Sequence, residues 1–582
     1  MMVGRTSFPD RELDKVSKRC FSRQEALWRG TPGVMISLFH TNDAQRSAVA
    51  LFREGSGRVN ESMLWSILTF GVYLAGMVVI GLWVYKRTVS QSDFVLGGRQ
   101  LNSWVTALSA NASDFSGWLL LGLPGAIYVS GLGEAWIAVG LAAGFAGSWI
   151  LIAPRLRVYT QRVTDSRAGG ESDSLTLSSF LENRFNDPTP LLRGVSAALI
   201  IVFYFFYVAS GLVAMASLFD MIFGMSPAPA IALGVGIVVL YTVLGGFLAV
   251  SYTDVVQAIM MWLALLIVPV LAITALGGFG GLTDGVSAKA DGLMSAFGGT
   301  SLDGDAGAWI STETLGWVVI VSGLAWGFGY FGQPHILARY MGIRSVKEIP
   351  KAAVVSVSWA VTAMFLAVLV GFIGIAYFDT PLGDPEQVFP RLIEALSHPV
   401  VAGVLLAAIL AAVMSTADSQ LLVAASALTE DVYKAWMNRE ASPGSLLWIS
   451  RATVIAVALV AAGVALWGDR SVMDLVGYAW AGFGAGFGPV LLLALFWKRM
   501  TWTGALAGMI VGGTTAIVWD VLDTAYFDIG LYAMVPAIAL SLVAIVACNG
   551  LGKVSEQMEA DFDRVEAEIK EGGKEGEPTA AG

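Results

Sequence analysis

Residues 112–118 read Ala-Ser-Asp-Phe-Ser-Gly-Trp, and long runs of Leu, Val, Ala and Gly flank this heptapeptide on both sides. A carboxylate in a membrane-spanning helix costs about 2.5 to 3.5 kcal/mol on insertion scales, so it persists where it faces a cavity or meets a cation. Gly117 and Pro124 follow Asp114 closely, which predicts a broken helix. Such a break is tolerated where it lines a cavity or a ligand site. The stretch therefore predicts a membrane protein with a functional site at Asp114.

The composition agrees with an all-α integral membrane protein. Apolar residues make up 56% of the chain and charged residues only 14%, against about 25% charged residues in ordinary soluble domains. The two cysteines and three histidines lie far apart and show no metal-ligand spacing. We therefore expect no cofactor, no metal other than a transported cation, no nucleic-acid partner and no obligatory protein partner, with the lipid bilayer as the surroundings.

The apolar runs after residue 62 predict about thirteen membrane spans, each near the roughly 20 residues that a bilayer requires. The predicted spans are 64–85, 103–131, 135–154, 194–222, 228–249, 253–277, 315–338, 352–378, 398–430, 448–468, 472–497, 502–522 and 527–548. Together they form a predicted membrane domain over residues 63–550, followed by a charged tail over 551–582.

The distribution of Lys and Arg predicts the orientation of these spans. Loops on one side carry 18 of these residues and loops on the other side carry 3. Because basic loops stay in the cytoplasm, we expect the N-terminus of the first span outside and the charged tail inside. Residues 1–62 have ten Lys/Arg and no long apolar run. They are predicted to be a poorly ordered extension, or to lie upstream of a true start at Met63.

Two spans contain Gly and Pro interruptions at matching positions. They are spans 103–131 and 315–338, five spans apart. This pattern predicts two five-helix repeats, over about 103–277 and 315–497, with the second inverted because five is odd. The architecture is that of secondary transporters. The chain has no phosphate-binding loop of the G-x-x-x-x-G-K-[ST] type, so the energy source is predicted to be an ion gradient or the gradient of the substrate.

Polar residues at membrane depth suggest a cation site. One helical face of span 398–430 presents Ser415, Thr416, Asp418 and Ser419. Hydroxyls and the freed carbonyl groups of a broken helix are oxygen ligands, which suit hard cations such as sodium. Asp254 is another carboxylate close to the membrane. Close helix packing is an equal alternative for Ser415 and Thr416. For Asp254 the alternative is an interfacial or capping role near the end of a span. For Asp418 the alternative is pairing with a neighbouring helix.

Aromatic residues suggest a pocket for a small zwitterion. Trp326, Tyr330 and Pro334 are spaced by four and share a helical face, which Tyr207 and Trp118 could extend. Aromatic faces bind a cation or an apolar ring, and free backbone N–H groups bind a carboxylate. Ordinary core packing is the alternative explanation of this stripe.

Several motifs carry a strong resemblance. They are Ala112–Leu120 with Gly122–Ala126, the run Gly245–Ser251, the run Gly327–Arg339, the run Ala411–Thr416 and the run Tyr478–Gly484. These motifs resemble the solute:sodium symporters, and among them the bacterial members that transport proline, from about residue 63 to about 550. The resemblance implies a LeuT-type fold of thirteen spans in a bacterial inner membrane, with symport of L-proline and sodium.

The resemblance also implies roles for individual residues. Sodium would be bound by the Asp114 carboxylate, by hydroxyls and by backbone oxygens; these residues are Ala112, Asp114, Phe115, Ala412, Ser415 and Thr416. The substrate would be bound by Ser116, Gly117, Trp118, Tyr207, Trp326, Tyr330 and Pro334. Asp254 would lie on the inward ion path, and Arg99 would lie in a functionally sensitive cytoplasmic loop. Asp418 departs from the small neutral residue that the resemblance implies, and with Ser419 and Asp254 it suggests a second cation site.

Other functions remain alternatives at this point. Within the family the substrate could instead be pantothenate, a sugar, a carboxylate or a compatible solute. A proline-binding sensor would need a signalling module, for which the tail is short. An enzyme would need a nucleophile–base pair or a metal cluster at depth, and a channel would need a continuous polar pore. The sequence does not determine the ion ratio, the affinities or the oligomeric state.

Overall fold

The computed structural model describes residues 42–85, 91–162, 174–304, 306–438, 440–468 and 471–570. It divides into two units between Ser62 and Met63, and the account below concerns the second. Most of the predicted N-terminal extension, residues 1–41, lies outside the described residues, as do residues 571–582 of the tail. Whether translation starts at Met63 therefore stays a prediction.

The described residues are mostly helical. The helices of the first half are α1 (Asn42–Tyr85), α2 (Gln91–Leu96), α3 (Ser103–Asp114), α4 (Leu123–Ser130), α5 (Trp136–Gly147), α6 (Ala153–Arg162), α7 (Leu177–Arg184), α8 (Leu191–Phe223), α9 (Pro227–Ala275) and α10 (Phe279–Ser287). Those of the second half are α11 (Trp317–Ala325), α12 (Pro334–Gly342), α13 (Ile349–Tyr377), α14 (Val388–Leu396), α15 (Pro399–Ser426), α16 (Pro443–Leu466), α17 (Val472–Phe496), α18 (Trp502–Leu522), α19 (Met534–Asn549) and α20 (Glu556–Lys570).

Nine helices within the described residues are long and apolar enough to cross a membrane. Three shorter apolar helices, Pro227–Leu240, Trp317–Phe331 and Met534–Asn549, also fall within predicted spans, so the count of thirteen stays a prediction. The spans Pro399–Met437 and Val472–Phe496 are the most buried, at 83% of their apolar windows, against 22% for Met63–Val84. Helices α15 and α17 therefore lie at the centre of the bundle, and α1 lies at its edge.

The first predicted helix break is present. Asn102 caps α3, because its side chain accepts hydrogen bonds from the N–H groups of Trp104 and Val105. The helix ends at Phe115, whose dihedral angles are φ −82° and ψ 83°. A π-helical turn, Trp118–Gly122, then leads into α4. The break leaves the last carbonyl groups of α3 without intrahelical partners, at the depth where Asp114 lies.

The second predicted break is also present. Helix α11 continues into a 3-10 segment, Trp326–Phe331, and α12 begins after it with Pro334 at its first position. Proline is suited to that position because its missing N–H would have no helical partner there. Every residue of α12 is buried, so this short helix lies inside the protein.

Two glycine contacts hold the second break against α5. A Cβ atom on Gly144 would lie 1.9 Å from the carbonyl oxygen of Gly327, and one on Gly327 would lie 2.0 Å from that of Gly140. Such distances leave no room for a methyl group. The backbones of α5 and of the 3-10 segment therefore approach each other as closely as glycine permits.

The structure differs from the predicted spans in two details. Helix α9 carries two predicted spans and bends at Gly246, which has φ 63° and ψ −176°. A side chain there would adopt a left-handed conformation and would contact Phe94 at 2.9 Å. The second detail is an antiparallel hairpin of β1 (Gly298–Asp303) and β2 (Ala308–Thr314), which the sequence did not predict. Its β-branched and aromatic residues favour strands.

Contacts join loops that the charge pattern assigns to the same side. At one end Arg155 pairs with Glu566 of α20, and Lys498 pairs with Asp563 of α20. Phe562 of α20 also packs near the buried Arg184 guanidinium. At the other end Lys289 donates to the carbonyl oxygen of Phe378. None of these four contacts mixes the two predicted sides, so they are consistent with the loop assignment.

We predict that Gly327→Ala prevents correct folding, because its methyl group would overlap the backbone of Gly140. The yield of monodisperse protein in detergent and its thermal unfolding temperature measure the effect. Gly236→Ala on α9 is the matched control, since nothing lies within 4 Å of the position that its added methyl group would occupy. It should leave stability equal to that of the wild type or raise it by up to about 1 kcal/mol. Equal stability of the two variants would contradict the close approach described above.

Candidate functional site

An oxygen cluster joins the first broken helix to α15. The Ser415 hydroxyl donates to the carbonyl oxygen of Ala112 at 2.7 Å, and the Thr416 hydroxyl lies 3.2 Å from the same oxygen. Ser415 Oγ also lies 3.0 Å from the carbonyl oxygen of Ala412. The structure thus brings together four of the six predicted sodium ligands. The donor set contains only oxygen atoms, which fits a hard cation.

Asp114 connects this cluster to the second break. The phenol of Tyr330 donates to Asp114 Oδ2 at 2.7 Å, and both side chains are fully buried. The backbone carbonyl of Asp114 accepts a hydrogen bond from Trp118 Nε1 at 3.2 Å. A predicted ion ligand and a predicted substrate ligand are therefore in direct contact, one on each broken segment.

A second charged cluster lies between α3, α9, α12 and α15. Arg339 Nη2 lies 3.3 Å from Asp254 Oδ2, and neither side chain is exposed. The same nitrogen donates to Ser419 Oγ at 2.5 Å, and Arg339 Nε donates to Ser109 Oγ at 3.2 Å. Ser109 in turn donates to Asp254 at 2.6 Å. The guanidinium therefore joins Asp254 and Ser419, two of the three residues predicted to bind a second cation.

Asp418 belongs to the same region. Its Oδ1 lies 3.1 Å from Ser419 Oγ, and its side chain is fully buried. Ser113 Oγ lies 3.0 Å from Ser419 Oγ and 3.3 Å from Asp254 Oδ2, so α3 also contacts this cluster. Asp254 and Asp418 are thus two buried carboxylates connected to the Arg339 guanidinium, Asp254 directly and Asp418 through the Ser419 hydroxyl.

Three of the predicted aromatic residues meet at Trp480 of α17. Its ring centroid lies 5.0 Å from that of Tyr330, 6.4 Å from that of Tyr207 and 6.4 Å from that of Trp326. Trp480 Nε1 also donates to the carbonyl oxygen of Trp326 at 2.7 Å. Tyr532, before α19, stacks on the outer face of Trp326 at 5.1 Å. A continuous aromatic wall therefore leads to Tyr330, and through its hydroxyl to Asp114.

One cavity reaches the aromatic wall. It has a volume of about 820 Å³, touches Trp326 and Tyr532, and is lined by Glu134, Asp474 and Asp520 among others. A separate cavity of about 30 Å³ lies beside Pro334 and Phe247. The larger cavity thus connects the aromatic wall with the end of the bundle that carries Asp474.

Further predicted site residues are Ser116, Trp118, Phe115, Gly117 and Arg99. Ser116 is buried, and its hydroxyl accepts a hydrogen bond from the Trp118 N–H. Trp118 packs against the ring of Phe115. The role of the Phe115 carbonyl oxygen as an ion ligand stays a prediction. Gly117 allows close packing, since a Cβ there would lie 2.8 Å from the Ala214 side chain. Arg99 is buried and donates to Thr160 and to the carbonyl oxygens of Met341 and Ser174.

Sequence reasoning missed two central side chains. Arg339 counted among the basic loop residues, whereas it lies fully buried in α12 with its guanidinium on Asp254. Trp480 was part of a recognised motif without an assigned role. Its position inside a predicted span is a usable signal, but its three aromatic contacts come from α8 and from the second break, which no local pattern reveals.

Glu386 connects the turn before α14 to the central helix α17. Its carboxylate accepts the N–H groups of Val472 and Met473 at 3.1 Å each, in the first turn of α17. Burial raises the pKa of Glu386 to about 7, although the two backbone hydrogen bonds lower it. Asp384 and Asp474 nearby also raise the pKa of this carboxyl. This contact therefore connects the turn at Glu386 to the helix that contributes Trp480 to the aromatic wall.

Across the part of the chain that the structure describes, no group of three or more His, Cys, Asp or Glu side chains is arranged to hold a metal ion. The site chemistry is instead that of hydroxyl, carbonyl and carboxylate oxygens together with aromatic faces. Such groups bind and release ions and small solutes without breaking covalent bonds.

Comparison of the sequence with known proteins is consistent with this geometry. A model of the sodium:solute symporter family matches residues 94–512. The high-affinity proline transporter PutP of Bacillus subtilis is 46% identical over 488 residues, covering 83% of this chain and 98% of that protein. The sodium/proline symporter of Escherichia coli is 45% identical over 509 residues, covering 86% and 96%.

The fold is also similar to a solved structure. A Na⁺-coupled sialic acid symporter, in a substrate-bound outward-open state, matches with a TM-score of 0.68 at 19% identity. The match covers 85% of this chain and 99% of that one. At this identity the likeness concerns the fold alone, and it confirms the predicted helical transporter fold of the LeuT type.

We predict that Asp254→Asn destabilises the protein by about 3–5 kcal/mol, because it leaves the buried Arg339 charge without its counterion. Thermal or denaturant unfolding of the purified protein measures this. Glu394→Gln is the control: it removes a partly exposed pair with Arg391 and should cost less than about 1 kcal/mol. Combining Asp254→Asn with Arg339→Gln should recover part of the loss. An Asp254→Asn variant as stable as the wild type would contradict a buried ion pair between Asp254 and Arg339.

We predict a pH-dependent stability contribution from Glu386. Its pKa is about 7 in the folded protein and about 4.3 in an unfolded chain, so the folded state binds the proton more tightly. The stabilisation is therefore complete at low pH and is lost as the pH rises through 7. The unfolding temperature of the wild type minus that of Glu386→Gln should increase as the pH is lowered from 8 to 6. A difference that does not vary over this range would refute the raised pKa.

Proposed function

Because the chain belongs to the sodium:solute symporter family, we propose that it takes up L-proline together with sodium by alternating access. The chain is a secondary transporter rather than an enzyme, as its relatives are. Proline is the proposed substrate because relatives at 46% and 45% identity over most of their length are named for it. A different small solute of the family is the second candidate.

The hydrogen bond between Tyr330 and Asp114 is the observation that carries the proposal. On one side of Asp114 the oxygen cluster of Ala112, Ser415 and Thr416 offers a sodium site. On the other side Tyr330 belongs to the aromatic wall that offers a solute site. A cation near Asp114 would reorient or neutralise this carboxylate and so would act on the solute side through one hydrogen bond.

Coupling then follows from linkage. Sodium that joins the break after α3 to α15 favours the geometry that holds Tyr330 in place, so proline binds more tightly when sodium is bound. The same factor must act in reverse, and such coupling is typically worth about 1–3 kcal/mol. At 100 mV each sodium ion that enters adds a driving force of about 2.3 kcal/mol.

The second cation position is proposed to be shared with Arg339. Its guanidinium already joins Asp254 to Ser419, while Asp418 adds a second carboxylate. A sodium ion on the inward path would meet these carboxylates after leaving the oxygen cluster. Movement of the short helix α12, which carries Arg339, would then open or close that path.

The proposed orientation places the acidic cavity outside a bacterial inner membrane and helix α20 in the cytoplasm. The loop charges support this. With the buried Arg339 left out, 17 of the 18 basic residues remain on the proposed inner side, against 3 on the outer. The cavity of about 820 Å³ would then admit substrate from outside. Its carboxylates would raise the local concentration of cations.

Transport into proteoliposomes tests the proposed function. We expect labelled proline to accumulate above equilibrium under an inward sodium gradient, and only to equilibrate under an equal potassium gradient or with no gradient. Protein-free liposomes serve as the control for leak and surface binding. Accumulation that ignores sodium would exclude sodium coupling. Accumulation of another family solute, but not of proline, would establish the second candidate instead.

We predict that ion-site and wall variants affect different kinetic parameters. Asp114→Asn and Thr416→Ala should raise the sodium concentration for half-maximal uptake by about tenfold or more, the equivalent of one lost charge-assisted hydrogen bond. Trp326→Ala should mainly raise the KM for proline, because its ring belongs to the aromatic wall. Sodium and proline titrations on the same vesicles separate the two effects. Equal changes in both parameters for all three variants would refute this division of roles.

A further inference from the structure

Five buried polar atoms at the helix breaks have no hydrogen-bond partner among the described residues. They are Oε1 and Nε2 of Gln333, Nε2 of His335, the hydroxyl of Tyr207 and Oδ1 of Asp114. Each of these side chains is at most 1% exposed. Protein interiors pair nearly all such atoms, so a cluster of unpaired ones calls for a partner.

These atoms belong to one region of the protein. Gln333 and His335 flank Pro334 at the start of α12. The ring centroids of Tyr207 and His335 lie 5.7 Å apart. Tyr330 lies three residues before Gln333 and donates to the Asp114 carboxylate. The unpaired atoms therefore come from both helix breaks and from α8.

Gln333 has the chemistry to bind both halves of a zwitterion. Its amide carries two N–H donors and one carbonyl acceptor. It is also the residue before a nine-residue helix, where Pro334 has no N–H and the next N–H groups have no helical acceptor. Such a helix start favours a carboxylate. The fully buried, unpaired amide of Gln333 is an independent indication that a ligand binds here.

His335 adds a donor of defined tautomer. The Tyr204 hydroxyl lies 3.2 Å from His335 Nδ1. When Tyr204 donates to Nδ1, the ring proton resides on Nε2, which then donates. The carbonyl oxygen of His335 also accepts a hydrogen bond from Arg339 at 3.1 Å. The backbone of His335 is thus connected to the charged cluster at Asp254 through Arg339.

We propose that Gln333 and His335 are specificity-determining residues that recognise the zwitterionic head group of the substrate. The Nε2 atoms of both residues donate to the substrate carboxylate, and Oε1 of Gln333 accepts from its ammonium. The aromatic wall receives the apolar ring. This inference rests on the proposed function, and it assigns the atoms that distinguish an amino or imino acid from the other solutes of the family.

Substrate analogues that lack one charged group test the assignment. Labelled proline uptake is measured in competition with proline, with prolinamide, which lacks the carboxylate, and with tetrahydrofuran-2-carboxylate, which lacks the ammonium. Wild-type protein should prefer proline to both analogues. Gln333→Leu should weaken proline by about 10- to 100-fold and the analogues much less, so the preference collapses. His335→Asn should reduce the preference over prolinamide only.

If Gln333 has only a structural role, Gln333→Leu would weaken the binding of all three compounds equally or would lower only the maximal rate of uptake. The matched control is Gln257→Leu, since Gln257 is also fully buried and its amide nitrogen donates to the Tyr73 hydroxyl. It should leave the preference unchanged. Unchanged preference in Gln333→Leu would overturn the proposal, as would equal losses for proline and both analogues. Buried water as the only partner of these atoms would produce either of those results.

The wild-type measurement separates this inference from the proposed function. Sodium-driven uptake with intact preference in the Gln333→Leu variant refutes the inference alone. If wild-type protein takes up no proline, the proposed function fails, and thermal shifts with a panel of amino acids and sugars replace uptake. A shift by amino acids that is lost in Gln333→Leu supports the inference, and a shift retained there refutes it. His335→Asn serves in the same assays if Gln333→Leu does not fold.

Discussion

Burial of the Asp114 carboxylate is the constraint on which the rest of the structure depends. A charge at this depth needs partners. The Tyr330 phenol is one of them, and a cation in the proposed site of the neighbouring oxygen cluster would be another. Tyr330 lies in the 3-10 segment into which α11 continues at Trp326, and from there its phenol reaches Asp114. That segment lies deep enough only because Gly144 and Gly327 let two backbones touch. The two helix breaks are therefore connected to each other through the contact between Tyr330 and Asp114.

Arg339 and Asp254 form a buried ion pair between two helices of very different length. Arg339 lies on a helix of nine residues between a 3-10 segment and a loop, whereas Asp254 lies on the long helix α9. Their pairing is expensive to break and modest in net stabilisation. Such a pair suits a switch between defined positions better than it suits general stability. The proposed ion path and α12, which carries the proposed substrate residue Pro334, thus share one set of contacts.

Elements other than the two helix breaks also contact the segments that carry the proposed site. Tyr532 precedes α19 and stacks on Trp326, and Glu386 binds the first turn of α17. Helix α20 pairs its acidic residues with Arg155 and Lys498 at the other end of the bundle. Each of these contacts joins elements that are far apart in sequence. Its distance therefore depends on how those two elements are placed relative to each other.

The amino-acid sequence alone determined the membrane class and the two broken helices, and it pointed to the hydroxyl residues of α15, because those features follow from local composition and helical periodicity. It also pointed to Asp114, since an unpaired carboxylate at depth is conspicuous in one dimension. It placed Arg339 in a loop and gave Trp480 and Gln333 no role, because a residue's partners depend on helices that meet only after folding. The pairing of Arg339 with Asp254 and the unpaired amide of Gln333 were decided by the tertiary structure alone, where burial and distance set the energy of each polar group.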